Sequence, residues 1–260
     1  MVRRPLGNHH HGPDTLLVTP DTTRTRAATD ETRSLPELIA RARVVLWDFD
    51  GPICRLFASH PAEKVADDMV RWLEGQGLHG LLTDGERESL DPHAVLRAVD
   101  RRHPRSDLVA ELEERLTKEE LHAASSAMPT PWADPLVRTW TAVGARMAIT
   151  TNNSPRVVGT YLTGRGLLPC FTPHVYGRTQ DLHLLKPHPH CLNRALIAMG
   201  CDPADALMIG DSPSDHHAAA QAGVPFLGYA RAPRKAALLM SAGATHVTRS
   251  LEPLLRALQG

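Results

Sequence analysis

Four consecutive apolar residues, Val44-Val45-Leu46-Trp47, run directly into Asp48-Phe49-Asp50-Gly51-Pro52. A short unbroken apolar run with β-branched residues fits a strand buried on both faces, the kind found in parallel sheets. Gly51-Pro52 marks the turn out of it. Such a strand must be covered by helices above and below, so the chain is directed toward a layered α/β fold.

The rest of the sequence agrees with that start. Ser34-Leu35-Pro36-Glu37 reads as a helix opening, with Ser as N-cap and Glu at the capping-box position, and the helix runs to about Ala42. From Asp134 onward, helices and strands alternate. Helices are expected over 134–143, 155–165, 189–199, 215–222, 233–242 and 252–258. Strands are expected over 146–150, 173–176, 206–209, 226–229 and 246–247. This alternation predicts a doubly wound parallel sheet with helices on both faces. Between the first strand and this array the texture is helical throughout. Val65, Met69, Val70 and Leu73 recur at helical spacing, as do Val95, Leu96 and Val99, then Leu108, Leu112, Leu116 and Leu121. Met128-Pro129-Thr130-Pro131 closes the block, since proline cannot continue a helix. The organisation expected is a flexible tail over 1–33, an α/β core from 34–58 and 134–260, and an inserted all-helical domain over 59–133.

A chain of 260 residues with 42% hydrophobic content can bury a substantial core. Lys plus Arg and Asp plus Glu both number 29, so no basic excess exists for a nucleic-acid backbone, and nucleic acid is excluded as a partner. No apolar run reaches membrane-spanning length, and no apolar h-region follows Met1-Val2-Arg3-Arg4. The four cysteines, Cys54, Cys170, Cys191 and Cys201, form no C-x-x-C pair. A reduced, cytoplasmic protein is the expectation. His9-His10-His11 reads as solvated sequence in the polar tail.

In open α/β sheets ligands bind beyond the carboxyl ends of the strands. Four loops there carry chemistry. Asp48 and Asp50 are two apart, so along a continuing strand they face the same side. They could hold a hard cation, with one as nucleophile and the other managing protons, or simply cap nearby amides. Thr151-Asn152-Asn153-Ser154 offers hydroxyl and amide donors before a helix, as a phosphate cradle or as an ordinary N-cap. Lys186, before Pro187, is a point charge that could neutralise phosphate or merely be solvated. Asp211 and Asp215, four apart at a helix start, could complete an oxygen cage for Mg²⁺ or serve as caps.

Each feature is weak alone, but their order and their placement at strand ends are not. Asp48-Phe49-Asp50-Gly51, Thr151-Asn152, Lys186-Pro187 and Gly210-Asp211-Ser212-Pro213-Ser214-Asp215 together resemble the haloacid dehalogenase-like superfamily, in its phosphoglycolate phosphatase-like branch with a helical cap of the first type. The resemblance implies a Rossmann-like core and Mg²⁺-dependent hydrolysis of a small phosphorylated metabolite. Asp48 matches the nucleophile that becomes phosphorylated. Asp50 matches the general acid/base, with its main-chain carbonyl on Mg²⁺. Thr151 matches the phosphate-binding hydroxyl, with Asn152 assisting, and Lys186 the motif-three lysine. Asp211 matches a direct metal ligand, and Asp215 a ligand or a partner behind it. A raised pKa is expected for Asp50, which must donate a proton near neutral pH. Pro52 stands where many relatives have threonine, and Arg55 could reach an anionic substrate group. The competing readings are a phosphosugar mutase of the same family and a non-catalytic metabolite-binding module.

Overall fold

The structure is a computed structural model that describes residues 34–259. The tail expected over 1–33, with its three histidines, lies outside the described residues. Helix α1 (Leu35–Arg41) opens as expected, with Ser34 N donating to Glu37 Oε2 at 2.9 Å. Strand β1 (Val44–Trp47) is buried along its whole length. The chain then makes a two-residue strand, β2 (Cys54–Arg55), and enters the insertion.

The insertion carries α2 (Ala62–Gly75), α3 (Asp84–Arg87), α4 (Pro92–Arg102) and the long α5 (Asp107–Ser125). Side-chain caps start three of these helices: Thr83, Asp91 and Ser106 accept from main-chain N–H groups that have no partner inside the helix. Their inward stripes form a separate core around Val65, Leu73, Leu96, Leu112 and Leu116, joined by Leu182 and Leu185. The chain leaves through β3 (Met128–Pro129), which pairs antiparallel with β2. Sequence periodicity is silent about this ribbon, because two-residue strands are too short to show alternation.

The remaining elements follow the expected alternation: α6 (Ala133–Ala142), β4 (Arg146–Thr150), α7 (Pro155–Gly164), a short α8 (Leu168–Phe171), β5 (Val175–Tyr176), α9 (His190–Met199), β6 (Ala206–Gly210), α10 (Pro213–Ala222), β7 (Phe226–Tyr229), α11 (Pro233–Ser241), β8 (Val247–Thr248) and α12 (Glu252–Gln259). The parallel sheet runs β5-β4-β1-β6-β7-β8. Val44 to Trp47 stand in register with Arg146 to Ile149 on one side and Ala206 to Ile209 on the other. One face is filled by Val45, Trp47, Ile149 and Ile209 beneath α6, α7 and α12, and the other by Val44, Leu46, Ala148 and Met208 beneath α9 and α10. Trp47 and Trp140 meet edge to face at 5.7 Å. The chain is thus an α/β protein with a doubly wound parallel sheet. Among the described residues, no helix is long and apolar enough to cross a membrane.

Candidate active site

The carboxyl ends of β1, β4 and β6 lie side by side, so the loops after them converge. Asp48 continues β1 by donating its N–H to Ile209 O at 2.9 Å, which seats its side chain next to the end of β6. Gly210 and Gly51 then make room. A Cβ at Gly210 would fall onto the Asp215 side chain, and one at Gly51, which has φ +118°, would fall onto the Asp211 carboxylate. Asp211 lies in the loop before α10 rather than on the helix, which begins at Pro213, two residues earlier than expected, because Ser212 caps it. Asp215 Oδ2 accepts from Asp211 N and Ser212 N, both at 3.0 Å, and from Ser212 Oγ at 2.8 Å.

Lys186 reaches this cluster from the loop before α9. Its Nζ donates to Asp48 Oδ1 and to Thr150 O, both at 2.8 Å, and lies 2.5 Å from Asp215 Oδ1 without forming a well-directed hydrogen bond. Burial alone would lower the Lys186 pKa, but Asp215 and Asp48 outweigh it and hold the ammonium protonated. Burial and Asp215 push the Asp48 carboxyl upward, while Lys186 pulls it back. Burial pushes Asp211 well upward too, against Lys235, whose ammonium lies on Asp211 Oδ2. Asp50 is pushed up to about 6, chiefly by burial, with its carboxylate accepting from Leu56 N at 2.8 Å. The direction is the one expected of a general acid.

Asp48, Asp211 and Asp215 each present a carboxylate oxygen within 4.8 Å of the others. An all-oxygen, buried set of carboxylates suits a hard cation such as Mg²⁺. Asp50 stands beside the set with its carboxylate turned to Leu56.

The phosphate-cradle residues are present, with their donors partly committed. Thr151 Oγ1 donates to Asn153 Oδ1 at 3.0 Å. Asn152 clamps the Lys186 main chain at both ends, Oδ1 accepting from Lys186 N at 2.8 Å and Nδ2 donating to Lys186 O at 3.2 Å. Asn152 therefore orients the lysine loop. Arg55 turns its guanidinium to Met128 Sδ at 2.9 Å. A cavity of about 250 Å³ opens over Asp48, Asp50, Thr151, Lys186 and Asp211, and its far wall is built by residues 90–93 and Arg97 of the insertion.

Three residues escaped the sequence reading. Arg178, Glu120 and His93 form a buried group behind the Thr151–Ser154 turn, with Arg178 and Glu120 fully buried. Arg178 follows the short β5, so the strand-end rule reaches it. Glu120 betrays itself only as an acid on the apolar face of α5, in step with Leu112, Leu116 and Ala123.

Comparison with known proteins follows the same lines. The model of the haloacid dehalogenase-like hydrolases matches residues 42–223. A phosphoglycolate phosphatase of Rhodospirillum rubrum is 36% identical over 107 residues, covering 40% of this chain and 44% of that protein. A phosphoglycolate phosphatase of Thiobacillus denitrificans is 39% identical over 84 residues, 32% of this chain and 36% of that one. The chain thus spans less than half the length of these curated relatives. Among solved structures, CbbY from Rhodobacter sphaeroides in complex with phosphate superposes with a TM-score of 0.59 at 18% identity, over 84% of this chain and all of the other, a likeness of fold. With its family model matched from the first strand through α10, this chain belongs to the haloacid dehalogenase-like hydrolases.

Proposed function

We propose that the chain hydrolyses small phosphate monoesters through a phosphorylated Asp48, with Mg²⁺ held by Asp48, Asp211 and Asp215 and by the Asp50 carbonyl. The observation that carries this reading is the meeting of Asp48, Lys186, Asp211 and Asp215 at one sheet edge, beneath a cavity walled by the insertion. The names of the curated relatives add support and make phosphoglycolate the first compound to try.

A phosphate monoester dianion repels a carboxylate. When bound, the cation would offset that repulsion and polarise the phosphoryl oxygens. Lys186, already on Asp48 Oδ1, pulls the Asp48 pKa back down against burial and adds positive charge. Asp48 attacks phosphorus, and the bond to the leaving oxygen breaks. Asp50, whose pKa near 6 leaves a usable protonated fraction around neutral pH, delivers its proton to that oxygen. The same carboxylate then takes a proton from water as the water attacks phosphorus, freeing inorganic phosphate and restoring Asp48. The small cavity favours a small metabolite over a protein-borne phosphate.

The test is phosphate release from a panel of small phosphate monoesters, with Mg²⁺ or with EDTA, for wild type and Asp48→Asn. Release that needs Mg²⁺ and vanishes in the variant is expected. An Asp48→Asn protein as active as wild type would sink the nucleophile assignment.

A further inference from the structure

A buried ion pair is weak evidence of added stability, since well-packed apolar side chains of similar volume often serve as well. Position 120 is a case in point. It lies on the inward stripe of α5 between Leu116 and Ala123, where a leucine would continue the apolar face. The chain instead places a fully buried carboxylate there and surrounds it with donors from outside the helix. Glu120 Oε1 accepts from Asn153 Nδ2 at 2.9 Å and Arg178 Nη1 at 2.9 Å, and Oε2 from Arg178 Nη2 at 3.0 Å and Ser154 N at 3.2 Å.

Arg178 is equally committed. Its Nε donates to Glu113 Oε1 at 2.8 Å, Nη2 also to Thr117 Oγ1 at 2.8 Å, and Nη1 also to Asn152 O at 3.0 Å. Its own main-chain N–H donates to Asn153 O at 2.9 Å. Both Nη1 hydrogens are therefore in use on Glu120 and Asn152. The His93 Nε2 that lies 3.2 Å from Nη1 and 3.3 Å from Glu120 Oε1 must itself donate to Glu120. His93 Nδ1 stands 3.4 Å from Asp91. Thus the buried Glu120–Arg178 pair bonds Asn152, Asn153 and Ser154 on one side and reaches His93 of α4 and Glu113 and Thr117 of α5 on the other.

We propose that Glu120 and Arg178 are positioning residues for the Thr151–Ser154 turn: their bidentate pair holds the turn, and through Asn152 the Lys186 loop, in the shape that faces the reacting phosphoryl group. This rests on the phosphatase reading above. Neither side chain touches the cavity floor of Asp48, Asp211 and Asp215, so they act through the turn. A planar guanidinium fork matches the carboxylate at two points, which a lysine ammonium cannot do. Misplacing a catalytic loop by about 1 Å can cost on the order of 100-fold in rate.

The experiment compares wild type, Glu120→Gln, Arg178→Lys and Arg178→Met with a control, Arg156→Ala. The control removes an exposed pair with Glu114 that links α5 to α7, the helix that follows the turn. Three quantities are read: amide hydrogen exchange at residues 151–154 relative to α9, kcat and KM for a compound the wild type hydrolyses, and thermal unfolding. Glu120→Gln and Arg178→Met are expected to speed exchange at the turn by about tenfold or more with α9 unchanged, and to lower kcat by roughly 10- to 100-fold with KM moving less than about threefold. Arg178→Lys should fall between, and Arg156→Ala should match wild type. Wild-type exchange at the turn in the two core variants would overturn the proposal, as would a uniform rise across the protein that merely tracks lost stability. Should the wild type hydrolyse nothing, the phosphatase reading fails by itself, and the exchange measurement still decides whether the pair holds the turn.

Discussion

Replacing Gly51 by alanine adds a single methyl group, and the structure fixes what that group would meet. Gly51 has φ +118°, a conformation that side-chain-bearing residues rarely adopt. Holding alanine there costs about 1–3 kcal/mol. The new Cβ would also fall onto the Asp211 carboxylate, which must retreat by roughly 1 Å or more to reach ordinary contact distance. For a domain of this size each kcal/mol shifts Tm by about 2–4 °C, so the backbone cost alone gives a drop of roughly 2–12 °C. The displaced carboxylate belongs to the set proposed to hold the cation, so catalysis should fall further than stability, by on the order of 100-fold. The two contributions separate in a double-mutant cycle with Asp211→Ala. With the carboxylate gone, the severe overlap is removed and only the close contact with the Cβ of residue 211, at 3.0 Å, is left, while the φ penalty remains. Gly51→Ala should therefore destabilise the Asp211→Ala protein less than it destabilises wild type. Thermal unfolding in EDTA reads the stability part, and Mn²⁺ binding followed by electron paramagnetic resonance reads the cation part. A Gly51→Ala protein with wild-type Tm and wild-type Mn²⁺ affinity would refute the close approach of this turn to Asp211.

Lys235 lies on Asp211 Oδ2 with its side chain partly exposed, so it competes with a cation for that oxygen; Lys235→Met should tighten Mn²⁺ binding several-fold, and unchanged or weaker binding would count against the competition. Glu120 shows the linkage between charge and stability: burial would raise its pKa, but Arg178 and His93 hold it down at about 2 against an ordinary 4.5. A depressed carboxyl contributes stability above its unfolded pKa and loses it as pH falls through the folded one. The Tm gap between wild type and Glu120→Gln should therefore be full above about pH 5 and shrink as pH falls toward 2; a gap independent of pH would contradict it. In the core, Trp140 is almost fully buried against Trp47, and Trp140→Ala should cost about 3–5 kcal/mol in denaturant titration.

How much of this was legible beforehand depended on whether a residue's role was written in its neighbours along the chain. The central strands were legible because β1, β4 and β6 are buried on both faces and read as unbroken apolar runs. The convergence of Asp48, Lys186, Asp211 and Asp215 was legible because the doubly wound fold brings strand ends together, so position after a strand stands in for proximity. The β2–β3 ribbon was not, since its pairing joins residues more than 70 apart with two residues on each side. Helix α10 opens two residues before the expected Asp215 because Ser212 is its N-cap.

Glu120 and Arg178 mark the sharper limit. In α5 the leucine spacing points to Leu108, Leu112, Leu116 and Leu121 as the apolar stripe, yet the buried face runs through Val109, Leu112, Leu116, Thr117, Glu120 and Ala123. The leucine spacing lies one residue aside because glutamates are mostly exposed, and residue type alone does not mark Glu120 as inward. What overrides that tendency is an arginine 58 residues away, placed after β5 where its fork pairs with both carboxylate oxygens of Glu120. Helical phase offers the cue that residue type hides. From Leu112 and Leu116 the next inward position is 120, not 121, and a charged residue at an inward phase demands a buried partner of opposite sign. The candidates are then few: an arginine or lysine at a strand end that faces the insertion, which after β5 is Arg178. Applied that way, phase and charge together would have found the pair, and with it the support of the Thr151–Ser154 turn.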